Sequence, residues 1–314
     1  KIKIKKTFFQ KLDIRDLILR ELYLRKNLNA SIIGLQNYLF AKNLKNKNIE
    51  LESVLNWNEN SIVDKGWNYG FRSFYKNVKT FGYQGFFVEK KLSSIDITNN
   101  EFDAKTCPEY IMIVGSILKK ARSEFVKKIK FISSRAFRFE HLFLKKFHTK
   151  KINNKIIILL NLDKETCIEI IDKIKRTQFV QNGNIVYIKE HPLLKLSRFY
   201  HKPLPKNFKI INGNLYDVIK KFKVVITSGS SSSVYESLLS GSKIIFPIND
   251  YYDNLNLQML DVPKSYYKVC NNINEIDTYI SKFLNQNTKH FEYYKDKLKN
   301  SINDKRNTKF FGKN

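Results

Sequence analysis

A Gly/Ser-rich segment in the second half of the sequence has the residue types of an anion-binding loop. From Val224 to Glu236 the chain passes from an apolar stretch through Thr-Ser-Gly and four consecutive serines into a stretch that favours a helix. Backbone N–H groups and the positive end of a helix dipole both favour negative charge at such a turn. One serine is enough to cap a helix, so four in a row favour phosphate binding over capping alone. The candidate phosphate-binding residues are Ser230, Ser231, Ser232 and Ser233.

A second candidate anion site ends an apolar stretch earlier in the chain. Val186–Ile188 is followed by Lys189, His191 and Pro192. Proline holds the preceding residue in extended backbone, so His191 is expected at the carboxyl end of a strand. Ligands of open α/β sheets bind at that edge, which is also the edge expected for the serines. We expect His191 either to have a structural role or to hydrogen-bond or protonate a departing phosphate, with Lys189 beside it.

Short apolar strands alternate with helices around both segments. This alternation is typical of a doubly wound parallel sheet. We therefore predict a Rossmann-like domain over 149–314 that binds a nucleotide, with its last helix as a candidate to cross back to the other domain. The predicted strands are 156–160, 185–189, 209–211, 224–227 and 243–246, and the predicted helices are 164–176, 215–221, 233–239 and 273–284.

The first half of the chain has a less regular pattern. A Rossmann-like domain normally opens with a strand, whereas 1–48 is basic and helical in pattern. We predict a second domain over 1–148 that is reduced or carries a helical extension, with 148–155 as the linker. Its predicted strands are 51–55, 78–87 and 110–114, and its predicted helices are 61–75 and 116–128.

Bulk composition limits the classes of function. The 314 residues are 42% hydrophobic and 14% aromatic, which is enough for two globular domains. No run of about 18 apolar residues predicts a membrane span, and the basic first residues lead into no apolar signal-peptide core. The three cysteines lack the spacing of a zinc site or a disulfide framework, so we expect a reducing cytoplasm. Lys and Arg exceed the acids by 57 to 29, and this net charge of +28 predicts a polyanionic partner: nucleic acid, anionic lipid, or an acidic glycan with its nucleotide donor.

The two motifs together resemble the donor-binding domain of bacterial surface-carbohydrate transferases. The resemblance rests on Lys189-Glu-His-Pro192, the Thr-Ser-Gly-Ser-Ser run from Thr227, and the later segment Gly-Ser-Lys-Ile-Ile-Phe-Pro247. Similar His-Pro and Ser-Ser motifs occur in bacterial sialyltransferases and β-Kdo transferases, which use CMP-activated nonulosonic acids, and in CDP-glycerol glycerophosphotransferases. The resemblance implies a GT-B-like α/β fold with two Rossmann-like domains facing a cleft, in which 1–148 is the acceptor-side domain and 149–314 binds the nucleotide-sugar donor. It also implies phosphate contacts from His191, Ser231, Ser232 and Ser233, and a ribose contact from Glu236.

An inverting transfer needs a carboxylate that takes the proton of the acceptor hydroxyl. Asn58-Glu-Asn60 follows a strand-like stretch and is similar to the Trp/Tyr-Glu-Asn segment of surface-carbohydrate biosynthesis proteins. Glu59 is therefore the first candidate base, Asp64 the second and Glu52 the third. The alternative for Glu59 is stabilisation of the following helix, worth about 0.3–1 kcal/mol. No Asp-x-Asp pair stands near the phosphate motifs, so we expect no metal ion in the mechanism.

Arginine and glutamine side chains are candidates for contacting the sugar or the acceptor. A nonulosonic acid carries a carboxylate, and the planar guanidinium group matches carboxylate geometry. Arg72, Arg135 and Arg138 are the candidate partners, each with a surface or structural role as the alternative. Gln84 lies in a Gly-flanked turn and is a candidate contact for either substrate.

The sequence therefore predicts a metal-independent, inverting glycosyltransferase. Its favoured donor is a CMP-linked nonulosonic acid, and its favoured acceptor is a surface glycan or glycolipid at the inner face of the membrane. A CDP-glycerol-type polyol-phosphate transferase and a UDP-sugar GT-B transferase are the enzymatic alternatives. A nucleic-acid-binding protein would explain the charge, but the basic residues are scattered and the sequence has no nucleic-acid-binding motif. A basic helix is predicted around Arg15, Arg20 and Arg25. It is either an ordinary amphipathic helix with a solvated face or an element that contacts a partner or an anionic membrane surface.

Overall fold

The described part of the chain forms two compact α/β units. The computed structural model describes residues 5–9, 11–24, 29–86, 95–114, 123, 126–140, 152–229, 233–248 and 262–286. Within these residues, the first unit draws on Lys1–Gln84, Ser94–Ile111 and Ser123–Phe131, and the second on Gly85–Ser93, Met112–Arg122 and Ile132–Asn314. The functional division between 1–148 and 149–314 stays a prediction.

A short hairpin precedes the two N-terminal helices, and the prediction of helices throughout 1–48 is wrong at this point. Lys11 adopts a φ of +72°, and Phe8 pairs antiparallel with Asp13. Asp13 then accepts a hydrogen bond from the backbone N–H of Arg15 (3.1 Å) at the start of the first helix. The turn at Lys11 and the capping by Asp13 therefore determine the local structure here, although the apolar spacing of the segment favours a helix. The elements are β1 Phe8–Phe9, β2 Leu12–Asp13, α1 Arg15–Leu24 and α2 Asn29–Asn46.

A four-stranded sheet follows, in the order β3-β4-β5-β6. Its first two strands are parallel, and Trp57 pairs with Tyr83 at their carboxyl ends. Ser61 begins the intervening helix with a capping box, as its side chain and that of Asp64 bond to each other's backbone N–H. The predicted strands and the helix after Ser61 are confirmed, while most of the predicted helix 116–128 lies outside the described residues. The elements are β3 Ser53–Trp57, α3 Ile62–Phe74, β4 Lys79–Gln84, α4 Asn99–Asp103, β5 Tyr110–Val114 and β6 Lys130–Ser134.

Helices α2 and α3 cross at an unusually close distance. The crossing is lined by small residues: Gly34 and Ala41 on α2 are buried, and Gly66 and Gly70 on α3 face them. A Cβ atom added at Gly66 would lie 1.9 Å from the Gly34 carbonyl oxygen, and one at Gly70 would lie 3.0 Å from the Ala41 Cβ. Only a residue without a side chain therefore fits at Gly66.

Gly66→Ala should destabilise the protein by about 3 kcal/mol, at the upper end of the range for overpacked sites. The added methyl group meets backbone rather than a movable side chain, so the two helices must separate. Gly70→Ala is the graded control and should cost clearly less. Urea unfolding followed by circular dichroism measures both changes. Equal costs for the two variants would contradict the close backbone approach at Gly66.

The second sheet has six parallel strands in the order β12-β11-β10-β7-β8-β9. Every adjacent pair in it is parallel. Three successive strands thus extend to one side and three to the other, which is the strand order of dinucleotide-binding folds. The strands are β7 Ile152–Leu159, β8 Val186–Lys189, β9 Phe208–Ile210, β10 Phe222–Thr227, β11 Lys243–Pro247 and β12 Tyr267–Cys270.

Helices cover both faces of this sheet. Ile156 and Ile158 join one apolar cluster with Ile171 and Ile280, whereas the alternate residue Ile157 joins a second cluster on the other face. The last described helix packs on β10 and β11, and the residues beyond it lie outside the described range. The helices are α5 Lys164–Lys175, α6 Gln178–Gln181, α7 Leu215–Ile219, α8 Ser233–Leu239 and α9 Ile273–Asn285.

All five predicted strands of this half are confirmed, but three features of it were not predicted. Strand β12 and helix α6 were missed because they are only four residues long and lack a continuous apolar run. Strand β7 begins at Ile152, so the second part of the predicted linker 148–155 belongs to the sheet. None of the helices in the described part of the chain has the length and apolarity to cross a membrane.

Candidate functional site

A cleft of about 580 Å³ lies at the carboxyl edge of the six-stranded sheet. It opens where the strand order reverses between β7 and β10, and open α/β sheets bind their ligands at this position. The walls come from the ends of β7 and β8, the turn before α7, and the first turn of α8. The lining residues are Arg138, Leu159, Leu160, Lys189, Glu190, His191, Pro192, Gly213, Asn214, Leu215, Tyr216, Asp217, Ser233 and Glu236.

Hydrogen bonds tie the two central strands together at the edge of the cleft. The Thr227 hydroxyl donates to the Leu159 carbonyl oxygen (3.1 Å). Just beyond the strand ends, the Asn161 amide donates to the Ser228 hydroxyl (2.8 Å). Both bonds span the point of reversal, so they fix the base of the cleft.

His191 lines the cleft with a defined ring orientation. Its Nδ1 atom accepts a hydrogen bond from the backbone N–H of Leu193 (3.2 Å), so the proton of the neutral ring is on Nε2. Burial lowers the pKa of this imidazole below its usual range, and the positive charges of Lys189 and Arg138 lower it further. The ring is therefore a neutral N–H donor near pH 7, and a bound anion would raise its pKa and favour protonation.

Glu190 closes the loop that carries His191. Its Oε1 atom accepts from the backbone N–H of the buried Leu196 (2.7 Å), and Oε2 pairs with Lys195 (3.3 Å). The Glu190 carboxylate is only 11% exposed. No sequence motif predicts this burial. The Leu194 N–H donates to the His191 carbonyl oxygen within the same loop (3.1 Å). Glu190 thus holds the backbone that orients the imidazole.

Glu190→Ala should destabilise the protein by about 1–3 kcal/mol, because it leaves the Leu196 N–H without its acceptor. It should also release the ring of His191 from the Nε2–H form. Glu190→Gln keeps an acceptor for Leu196 and loses only the partly exposed pair with Lys195, worth less than about 1 kcal/mol. Urea unfolding and imidazole nitrogen NMR shifts, assigned with His191→Gln, measure the two effects. If both variants leave the tautomer of His191 unchanged, Glu190 does not position the ring.

Glu236 and Arg138 add a second pair of groups to the cleft. Glu236 lies in the first turn of α8 and is 9% exposed. Burial raises the pKa of its carboxyl to about 7, although the nearby Arg138 guanidinium acts in the opposite direction. Arg138 is carried by the short helix Phe137–Phe139, which follows β6. The exposed cation Arg138 thus lines the same cleft as a carboxyl group that is close to neutral at physiological pH.

The three predicted arginines have different environments. Arg138 lines the cleft. Arg135 forms an ion pair with Glu140 (3.5 Å). Arg72 donates to the carbonyl oxygens of Phe102 (3.1 Å) and Cys107 (2.9 Å), and its guanidinium lies 4.6 Å from the Phe102 ring centroid. Arg72 therefore fastens α3 to α4, and Arg138 is the arginine placed to meet a ligand.

Of the four serines predicted to bind phosphate, only Ser233 lies in the described part of the chain. Ser233 is buried, begins α8 and lines the cleft. Ser230, Ser231 and Ser232 lie outside the described residues. Lys189 also lines the cleft, and its Nζ atom donates weakly to the Glu190 carbonyl oxygen (3.4 Å). The prediction that His191, Lys189, Ser233 and Glu236 come together at one sheet edge agrees with this geometry.

The first two candidate bases, Glu59 and Asp64, follow the carboxyl end of β3 in the first unit, whereas Glu52 precedes this strand and lies at its amino end. Glu59 is exposed, and its Oε1 atom accepts from the Trp57 indole N–H (2.8 Å). Asp64 is buried and accepts from the backbone N–H groups of Glu59 (3.0 Å) and Ser61 (2.9 Å), as expected for a capping residue. Gln84 is buried at the end of β4. Glu52 is exposed. This geometry favours Glu59 over Asp64 as a base, and the catalytic role stays a prediction.

The turn before α7 is a wall of the cleft that belongs to neither of the two predicted anion-binding motifs. Gly213 adopts a φ of +115°, and the Asn214 side chain accepts from the Tyr216 N–H (2.9 Å) to cap the helix. Burial raises the pKa of the Tyr216 hydroxyl above its usual value. A Gly-Asn pair directly before an apolar run is a helix-start signal, so this turn was visible in the sequence.

Solved structures share this architecture. The sequence matches no protein-family model and no curated protein. The glycotransferase of kitacinnamycin aligns with a TM-score of 0.53 at 9% identity, over 90% of this chain and 82% of its own. Arabidopsis thaliana UGT89C1 complexed with UDP gives 0.57 at 10% identity, over 91% and 76%. Acinetobacter baumannii MurG gives 0.51 at 10%, over 86% and 74%.

These neighbours define the class of fold. They are GT-B glycosyltransferases, and the described residues of this chain carry the same combination of two α/β units with parallel strands. The chain therefore has a GT-B-like fold, as the sequence predicts. At identities of 13% or less the likeness shows the fold, and the chemistry has to be argued from the cleft.

Proposed function

We propose that the protein is a glycosyltransferase whose cleft binds the nucleotide part of an activated sugar. The observation that carries the proposal is the meeting of Arg138, His191 and Glu236 in a cleft at the reversal point of a doubly wound sheet. A cation and an N–H donor suit phosphate oxygens, and a nearly neutral carboxyl suits a ribose hydroxyl. Nucleotide sugars present both groups.

The reaction follows from that placement. The acceptor hydroxyl oxygen bonds to the anomeric carbon as the bond from this carbon to the phosphate oxygen breaks. The phosphate takes the bonding electrons, and Arg138, Lys189 and His191 stabilise the charge that develops there. We propose inversion in a single displacement, with Glu59 taking the proton of the hydroxyl. The absence of an Asp-x-Asp pair near the phosphate motifs supports a metal-independent reaction, for which activity should be unchanged in EDTA.

A UDP-linked sugar is the donor that we favour. UGT89C1 was solved with UDP, and other neighbours are the spinosyn rhamnosyltransferase SpnG and the forosaminyltransferase SpnP. A diphosphate also offers more anionic oxygens to the cations of the cleft than a monophosphate does. The motif resemblance still supports CMP-linked nonulosonic acids and CDP-glycerol as alternative donors. The proposal therefore revises the donor that the sequence alone favours.

The acceptor is proposed as a hydroxyl group of a glycan or glycolipid. UGT89C1 was also solved with quercetin, and SpnG with a spinosyn aglycone, so neighbours with this fold hold hydroxyl-bearing acceptors of varied shape. Cys107, Cys167 and Cys270 are all free and buried, which supports a reducing, cytoplasmic location.

Calorimetry with UDP, CDP, CMP and a random oligonucleotide tests the proposal. We expect UDP to bind most tightly, and His191→Ala to weaken it about 10-fold by removing one hydrogen bond to a charged group. Tighter binding of CMP or CDP that His191→Ala also weakens would select the alternative donors. Binding of the oligonucleotide alone, with a steep salt dependence and no effect of His191→Ala, would show that the charge serves nucleic-acid binding and that the glycosyltransferase proposal is wrong.

A further inference from the structure

Exposed apolar side chains are concentrated near the N-terminus. Of the nineteen large apolar side chains that are exposed in the described residues, ten lie between Phe8 and Phe40. Isolated exposed apolar residues are normal on a protein surface, but such a concentration marks an interaction surface. This feature is separate from the cleft and does not depend on which donor the cleft binds.

Helix α2 buries two small residues against α3 and exposes a stripe of large aliphatic residues. Gly34 and Ala41 are buried against α3. Ile32, Leu35 and Leu39 are spaced by three and four residues, which places them in one stripe on the opposite side. Their exposed fractions are 50%, 57% and 41%. An ordinary surface helix has the reverse pattern, with its polar face toward water.

The charge around the stripe is positive. Helix α2 contains no acidic residue, and the exposed Lys42 and Lys45 lie in its C-terminal part, directly before the exposed Lys47. The hairpin and α1 add further exposed apolar residues, such as Phe8 and Leu17, together with the exposed Lys11 and Arg20. Aliphatic side chains and exposed cations thus occur together over the first 47 residues.

We propose that the stripe of Ile32, Leu35 and Leu39, with Lys42 and Lys47, docks on an anionic lipid surface. Aliphatic side chains insert at the boundary between the headgroups and the acyl chains, and cations bind the anionic headgroups. An anionic lipid surface therefore matches both the apolar stripe and the lysines. A second copy of the chain fits less well, because each copy carries a net charge of +28 and the two would repel. Nucleic acid gives no partner for three aliphatic side chains. The face therefore brings the protein to lipid-linked acceptors.

Vesicle co-sedimentation of the full chain tests this docking. We expect binding to phosphatidylcholine vesicles that contain phosphatidylglycerol, little binding to pure phosphatidylcholine, and loss of binding at high salt. The triple variant Ile32→Gln, Leu35→Gln, Leu39→Gln should reduce the partition coefficient at least about 10-fold. Lys42→Gln with Lys47→Gln should reduce it about 25-fold, which corresponds to roughly 1 kcal/mol for each charge near the surface. Glutamine keeps the helix propensity of leucine, so α2 should stay folded.

Control variants distinguish binding by this face from non-specific hydrophobic adsorption and from attraction by the overall positive charge. Leu162→Gln with Ile210→Gln removes exposed apolar residues elsewhere, and Lys206→Gln with Lys209→Gln removes the same number of charges. Both controls should bind vesicles like the wild type. Equal losses in the controls and the α2 variants would overturn the proposal. So would a dimer in analytical ultracentrifugation that the triple variant dissociates, because the stripe would then belong to self-association. Binding of UDP by the triple variant should equal that of the wild type, so a failure of docking is distinguishable from a failure of the donor site.

Discussion

Replacing Arg138 by alanine should weaken UDP binding by about 100-fold, whereas the same change at Arg135 should leave it within about twofold. Arg138 lines the cleft and is close enough to affect the pKa values of both His191 and Glu236. Its guanidinium is an exposed cation of the cleft wall, and charge-assisted hydrogen bonds to phosphate are among the strongest in proteins. Arg135 lies three residues earlier and is paired with Glu140 instead. Calorimetry on both variants measures the difference.

Arg138→Lys distinguishes a bidentate contact from a simple positive charge. Lysine keeps the charge but loses the planar fork, so we expect it to recover only part of the affinity. Full recovery would mean that the site needs charge alone. If Arg138→Ala binds UDP as tightly as Arg135→Ala does, Arg138 does not contact the phosphates and the cleft is not the nucleotide site. Thermal unfolding of each variant shows whether a loss of affinity reflects unfolding.

The six-stranded sheet could be predicted because its central strands are fully buried. Strands β10 and β11 contain the continuous apolar runs 224–226 and 244–246, bounded by polar and Gly-containing turns, which is the pattern of a sheet covered on both faces. Strand β12 has two partly buried residues, Lys268 and Val269, between the buried Tyr267 and Cys270, and its sequence Tyr-Lys-Val-Cys carries only a weak signal. The strand's position at the sheet edge, beside β11, explains this weaker pattern.

The selection of Arg138 over Arg72 and Arg135 could not come from the sequence. All three are arginines near aromatic residues, and the environments of Arg72 and Arg138 are set by groups far along the chain. Arg72 is bonded to carbonyl groups 30 and 35 residues away, and Arg138 lines one cleft with Glu236, which lies almost 100 residues further along the chain. Such long-range pairings depend on the tertiary fold. A single sequence gives no measure of them.

The contacts of Asp64, unlike those of Arg138, could be predicted from a local sequence pattern. Ser61 and Asp64 have the spacing of a capping box, and the carboxylate bonds to the N-terminal backbone of α3. Its Oδ1 atom also accepts from the Asn56 amide (3.2 Å). Both oxygens of this carboxylate already accept hydrogen bonds within the protein, which is the physical reason to place Glu59 first. The capping-box spacing of Ser61 and Asp64 therefore predicts the contacts of Asp64 better than its candidacy as a catalytic base does.

The pH dependence of stability should differ between the wild type and Glu236→Gln. Burial raises the pKa of the Glu236 carboxyl from 4.5 to about 7. The folded protein therefore binds more protons than the unfolded chain between these values, and stability falls as the pH rises through this window. Glutamine does not titrate, so the variant should gain about 3 kcal/mol relative to the wild type between pH 4.5 and pH 8.

Urea unfolding of both proteins at pH 4.5, 6, 7 and 8 measures this difference. The titration of His191 has the opposite sign, because burial lowers its pKa and stability is lost as the pH falls through the lowered value. Repeating the comparison in a His191→Gln background removes that contribution. A difference that grows with pH means that the working cleft holds a nearly neutral carboxyl beside Arg138, which then acts as a hydrogen-bonding group for a ribose hydroxyl. A constant difference across the range would mean that Glu236 is ionised in the folded protein, and the cleft would then repel the phosphates that it is proposed to bind.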